Sequence, residues 1–350
     1  MKRDKKKTFR NLIIFIAIIL FTFYIIFKDQ DITDFAEALR NIDIKFIIIG
    51  IVCMAMYFVC DAINIGVSLK KLGEKSTFIK NIKYSLIGFF FSAITPAASG
   101  GQPMQIYYMK KENISIAHST LTFLINLSCM QIVTISLALV SLIFNFDKMN
   151  GVLISCFILG IALNLTALTL LIISIYSRKM TNGLIKLTEK FLKFIKVKNL
   201  EEKTEKIEKE LTKYQESAKY IKSNVKLIVR ILLMTYLQFL FYYSTTYWVY
   251  CAFGISQYNI IQIISLQAIL YGTVSGIPSP GAVGVSEGGF IELFKNVYAK
   301  EQISSAMLLN RGVNFYLYVI ISAILVTICS VKDDKKLKAD NKEGIEELSK

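Results

Sequence analysis

Thr95-Pro-Ala-Ala-Ser-Gly-Gly-Gln-Pro103 interrupts one apolar stretch, and Ser275-Gly-Ile-Pro-Ser-Pro-Gly-Ala-Val-Gly-Val-Ser-Glu-Gly-Gly289 interrupts another about half a chain later. All four prolines of the chain lie in these two breaks. Proline has no amide donor and clashes with the preceding helical turn, so neither stretch reads as one continuous helix. In a bilayer, freed backbone groups are tolerated only where protein or a water-filled cavity satisfies them. Matching interruptions in the two halves of a membrane protein are the sequence mark of a transporter binding site.

The surrounding sequence fits a bilayer. Hydrophobic residues make up 54% of the 350, and mean hydropathy is +0.49. Several runs reach the roughly 20 apolar residues that span a membrane. The net charge of +15 sits in short segments between these runs. That pattern marks cytoplasmic loops rather than a nucleic-acid surface. The six cysteines lie singly in apolar runs and read as packing residues. The only histidine, His118, stands beside Ser119 at a helix entrance and reads as structural or interfacial. No metal site and no cofactor are expected.

Charge sets the expected topology. A basic N-terminus, residues 1–10, precedes a span from Asn11 to Phe27 that reads as retained rather than cleaved. An acidic loop, Lys28–Lys45, suits the outside. A second span, Phe46–Leu69, returns to a basic segment holding Lys70, Lys71, Lys75, Lys80 and Lys83. If the first broken segment, Ile82–Met109, doubles back, the long basic segment after two further spans falls inside. The positive-inside rule favours that reading. The fold expected is an all-α polytopic membrane protein, with about six full transmembrane helices and two re-entrant broken-helix segments. Its parts are membrane half one at 11–175 with a break at 95–103, a cytoplasmic basic helical hairpin at 176–226, membrane half two at 227–330 with a break at 275–289, and a cytoplasmic tail at 331–350. Phe46 and Leu227 precede Pro96 and Pro278 by nearly equal distances, and their spans run in opposite directions. This spacing is that of an inverted repeat.

The basic segment carries a heptad seam, Leu200, Thr204, Ile207, Leu211, Tyr214, Ala218, Ile221 and Val225. Leu184, Leu187, Phe191 and Phe194 form a stripe that would partner it. The seam suits a hairpin packed on itself, a surface on anionic headgroups, or a partner-docking site.

The candidate site is built on the breaks. Pro96 and Pro103 bound the first, and Ser99, Gly100 and Gly101 precede Gln102. A half-helix starting near Met104 would aim free amides at a cavity, which suits a lipid phosphate. Gln102 and Gln105 add side-chain amides, and Tyr108 suits a headgroup boundary. In the second break Pro278, Pro280, Gly281 and Gly284 shape the turn. Ser286 is a candidate N-cap, and Glu287 favours the positive helix end. A carboxylate within a span costs about 2.5–3.5 kcal/mol on insertion scales, so Glu287 needs a partner or a purpose. Arg311, near the start of the last span, either meets Glu287 or a phosphate, or snorkels outward. Asp61 and Asn64 form a secondary polar pair.

With these motifs the chain resembles the lysylphosphatidylglycerol synthase transmembrane-region family, also described as flippase-like integral membrane proteins. The resemblance rests on Thr95–Met109, Pro278–Glu287 and Arg311, and spans about Asn11 to Ser330. Many relatives have an arginine and a Gly-Glu pair in the first motif, where this chain has Ala97–Gln102. The resemblance implies movement of an anionic or aminoacylated phospholipid, such as lysyl-phosphatidylglycerol, between leaflets. It also implies a link to phosphatidylglycerol lysyltransferases, whose soluble domain has no counterpart in the twenty residues after Ser330. The partners it suggests are the phospholipid, a separate soluble aminoacyltransferase and a second copy of the chain, but no nucleic acid. The expected location is the cell membrane, with both termini cytoplasmic. A polyprenyl-phosphate lipid and a lipid-binding scaffold are the alternatives.

Overall fold

The computed structural model describes residues 42–95, 98–176, 200–277, 280–282 and 284–331. The span at 11–27, Pro96, Pro278, the Leu184–Phe194 stripe and the tail lie outside the described residues. Helix is the only regular structure among those described. Five helices are long and apolar enough to cross a membrane. They match five of the six expected spans, and the sixth is the one at 11–27. The chain is an all-α, multi-pass membrane protein.

Helix α1, Ile44–Lys71, begins at Asp43, whose carboxylate accepts the Lys45 amide at 3.0 Å. An N-cap of this kind satisfies one of the free amides of the first turn. Lys70 and Lys71 close its last turn, where positive charge suits the helix dipole. The first break then separates α2, Phe78–Ile94, from α3, Gly101–Lys111. Proline is tolerated in the first turn of a helix, and Pro103 sits there in α3. The half-helix therefore starts at Gly101 and has Gln102 and Pro103 in its first turn, the start expected for it.

The two arms double back. Glu112, capping the end of α3, takes ion pairs from Lys83 and, at 2.8 Å, from Lys80 in the first turns of α2. Between the arms the packing is close. An added Cβ on Gly88 would lie 2.2 Å from the Gln105 amide, and one on Gly101 would lie 2.8 Å from the Gly88 carbonyl. Two long spans follow, α4, Ile116–Asn145, and α5, Gly151–Tyr176.

Helix α6, Leu200–Lys222, is the amphipathic part of the basic segment. Its seam residues Tyr214, Ala218 and Ile221 pack on Ala117, Leu121 and Ile125 of α4. Burial pushes the Tyr214 phenol up to about 12, and its hydroxyl donates to the Ser174 carbonyl. So this part of the seam is covered by the membrane helices of the same chain. Glu210 accepts from the Ala117 amide and the Ser115 hydroxyl, both at 2.9 Å, and Glu74 meets His118 Nδ1 at 2.6 Å. Two carboxylates thus complement the positive start of α4, and His118 is a structural residue there.

The second half repeats the plan. Helix α7, Val225–Ala252, leads to α8, Ile260–Val274. A turn at Pro280–Ala282 follows, then α9, Val285–Phe294. The last span, α10, runs Ile303–Val331 and contains a π-helical turn at Gly312–Tyr316. An Asn259–Gln262 capping box fixes the start of α8. The Tyr258 hydroxyl reaches the Asn296 carbonyl at 3.3 Å, so this hairpin also closes at its open end.

α1 and α7 run antiparallel. The Asp43 amide donates to the Ala252 carbonyl at 3.0 Å, and further along Asn64 donates to Thr235 Oγ1 at 3.1 Å. The two broken hairpins follow the two opposite ends of this pair. That is the arrangement expected of an inverted repeat.

Candidate functional site

Both hairpin tips reach one cavity of about 790 Å³. Ala98 and Gln102 line it from the first break, and Ser275, Gly281, Ala282 and Ser286 from the second. The tips share an unusual backbone feature. Ala98 and Ala282 have φ of 53° and 54°. The left-handed region costs an L-residue roughly 1–2 kcal/mol. Among the described residues, Ala98 and Ala282 therefore put a strained alanine from each break at the cavity wall.

Hydrogen bonds lock the tips. In the first, Thr95 Oγ1 donates to the Phe91 carbonyl at 2.5 Å and accepts the Gly100 amide at 2.9 Å. In the second, Asn164 of α5 donates to the Gly272 carbonyl at 3.0 Å and accepts from the Ser275 hydroxyl at 3.2 Å. Residue pairs of this kind replace the backbone bonds that the breaks remove.

Arg311 is the cavity's cation. It is only 8% exposed and lies eight residues into α10, about 12 Å along the helix at 1.5 Å per residue. Its Nε–H donates to Glu287 Oε1 at 2.9 Å, its Nη2–H donates to the Gly281 carbonyl at 2.8 Å, and the guanidinium lies 4.4 Å from the Phe315 ring centroid. The buried ion pair replaces the snorkelling alternative. Glu287 also takes the Gly284 amide at 2.6 Å and the Ser286 hydroxyl at 2.9 Å. Helix α9 starts at Val285 with Gly284 as its N-cap, so Ser286 lies inside the first turn and Glu287 does the capping. Gly284 adopts φ of 83°, which glycine allows.

The other expected residues divide. Gln102, Gln105, Asp61 and Ser286 line the cavity. Gln105 also clasps the hairpin, donating to the Tyr84 carbonyl at 3.0 Å. Asn64 turns away from Asp61 and bonds Thr235 instead. Tyr108 is buried in the core, edge-on to Tyr107. Ser99, Gly100, Gly101 and Pro103 shape the first tip without lining the cavity, and the side chain of Pro280 is outside the described residues.

Among the described cavity residues that were not foreseen, four carry buried amide atoms without a partner. Asn126 and Gln131 on α4, Gln267 on α8 and Asn314 in the π-turn all line it. Among the described residues, both amide atoms of Asn126, and one oxygen each of Gln131, Gln267 and Asn314, are buried with no hydrogen-bond partner. Such groups cost roughly 1–3 kcal/mol each when left unsatisfied. Their signal in the sequence is an amide inside an apolar span, and α4 carries two such amides within six positions. A cavity with buried donors and acceptors and one fixed cation can hold a polar, anionic group against an otherwise apolar wall.

Comparison with known proteins agrees with this architecture. A curated relative, the UPF0104 membrane protein PH1989 of Pyrococcus horikoshii, is 22% identical over 300 residues, covering 83% of this chain and 89% of its own. The chain belongs to the family described as Lysylphosphatidylglycerol synthase TM region, whose sequence model matches residues 11–322.

Proposed function

We propose that this protein moves an anionic or aminoacylated phospholipid between membrane leaflets, holding the headgroup between the two broken hairpins. The observation that carries this reading is the single cavity shared by both tips and by Arg311. The hairpin ends at Lys80, Lys83 and Glu112 would face the cytoplasm, and those at Tyr258 and Asn296 would face outside. Lys110 and Lys111 follow the same rule of positive charge inside. A headgroup arriving from either face would then meet the same site, which is the geometry of alternating access. Arg311 offers a planar donor fork suited to phosphate, and Gln102, Asn126 and Asn314 would bond the ester oxygens or an attached glycerol or amino acid.

The test is translocation of fluorescent phosphatidylglycerol and lysyl-phosphatidylglycerol in liposomes reconstituted with the full chain. Faster bilayer crossing of either lipid is expected. Unchanged crossing for both lipids and for a polyprenyl phosphate would rule the reading out.

The family description supports a second reading, a membrane component of lysylphosphatidylglycerol synthesis that works with a separate soluble aminoacyltransferase. Transfer of radiolabelled lysine from lysyl-tRNA to lipid, with and without such a partner, separates the two readings.

A further inference from the structure

Among the described residues, the cavity lining holds two charged side chains, Asp61 and Arg311. Arg311 is matched by Glu287 at 2.9 Å. Asp61 is not matched. Its carboxylate accepts a hydrogen bond from the Ser85 hydroxyl, and among the described residues no lysine, arginine or histidine pairs with it. It lies mid-way along α1, half-buried, with its exposure directed to the cavity. Its titratable neighbours are Tyr57 and Cys60 on α1, and Tyr242 on α7 and Tyr271 on α8 line the same cavity. Phenols and thiols are neutral near pH 7 and supply no counter-charge. The ionisable groups of the α2 and α4 starts, Lys80, Lys83 and His118, are engaged by Glu112 and Glu74. With every carboxylate ionised, the site therefore carries one uncompensated negative charge.

A phosphodiester entering this site adds a second negative charge, away from bulk water. Like charges confined together are relieved by one group taking a proton. We propose that Asp61 is a proton-coupling carboxylate, which takes one proton from water when the cavity receives an anionic headgroup and returns it when the headgroup leaves. The carboxyl O–H that forms is matched by one bond to hydrogen broken in hydronium or a buffer acid, and the reverse exchange returns the proton on release. This inference rests on the headgroup reading above. It makes lipid movement sensitive to pH and, across a pH gradient, coupled to it.

Calorimetric titration of the purified full chain with short-chain phosphatidylglycerol tests the idea. Two buffers of different ionisation enthalpy count the protons taken up. Uptake approaching one proton per lipid is expected, with affinity falling up to tenfold per pH unit above the titration of Asp61. Asp61→Asn should bind without proton uptake and without pH dependence. Ser85→Ala removes a hydroxyl that stabilises the charged carboxylate, so its fall in affinity should shift to higher pH. Wild-type binding with no proton uptake and a flat pH profile would overturn the coupling and leave the headgroup site intact. So would an absolute need for an amine on the lipid, since Asp61 would then be an ammonium site. Failure of the wild type to bind any phospholipid would overturn both. If the variants fail to fold, the wild-type proton count alone decides.

Discussion

Arg311 donates its Nε–H to Glu287 Oε1 at 2.9 Å and reaches the Gly281 carbonyl with Nη2 at 2.8 Å, so one side chain of the last span holds both sides of the second break. Glu287 in turn caps α9 through the Gly284 amide. The cation is therefore fixed in place before any ligand arrives. Donors fixed in advance bind anions without the cost of ordering them.

This pair is mostly buried, with side-chain exposures of 9% and 15%. Breaking a buried pair from one side strands a charge and costs about 3–5 kcal/mol. Arg311→Ala should thus lower thermal stability in detergent substantially and abolish lipid movement. Glu287→Gln strands Arg311 in the same way but keeps an acceptor for the Gly284 amide, so its stability loss should be smaller than that of Glu287→Ala.

Replacing an unsatisfied buried amide by an apolar side chain removes a desolvation penalty. Asn314 is 2% exposed, with an unpartnered Oδ1 beside the cavity. Asn314→Leu should raise the melting temperature while reducing lipid movement. A rise in stability with undiminished movement would remove Asn314 from the site.

Helix α5 meets α8 at Gly160, where an added Cβ would stand 2.3 Å from the Thr273 carbonyl oxygen. That neighbour is backbone and cannot swing aside. Gly160→Ala should cost about 1–3 kcal/mol by forcing the helices apart. Gly288 on α9 has open space around it. Gly288→Ala should be neutral or gain up to about 1 kcal/mol from helix propensity. Thermal melts of the two variants side by side check the contrast.

At the open end of the first hairpin, burial alone would raise the Glu112 carboxyl. Hydrogen bonds and charge from Lys80 and Lys83 outweigh that effect and hold it below the usual carboxylate range. A lowered folded-state value stabilises above the ordinary carboxylate range, and the benefit is lost as pH falls through the lowered value. Thermal stability of the wild type should therefore drop on acidification below about pH 4, and Glu112→Gln should be less stable at neutral pH and flatter in acid. Identical acid limbs would show that the clasp contributes nothing.

Much of this was legible in the sequence because the physics was local. Prolines and glycines stop helices wherever they stand, so the breaks at Thr95–Pro103 and Ser275–Gly289 and the spans around them could be placed to within a few residues. Charge near the span ends led to the expectation that the first segment doubles back, and the Lys80–Glu112 pair at 2.8 Å joins the two ends of that segment. The rest depended on rotation about helix axes. Asp61 and Asn64 sit one turn apart, yet α7 takes Asn64 while the cavity takes Asp61. Asn126 and Gln131 on α4 and Gln267 on α8 reach one cavity only through the packing of the two helices. The π-turn after Arg311 left no mark but Gly312 in an apolar run. The basic seam could not name its occupant, because α4 lies far from α6 in sequence.

The most direct measurement is a density map of the full chain in nanodiscs rich in phosphatidylglycerol. A phosphate held against Arg311 between the two tips, lost in Arg311→Ala, is the predicted result. Lipid ordered only on the outer surface of the helices, with the cavity holding no headgroup, would contradict the account.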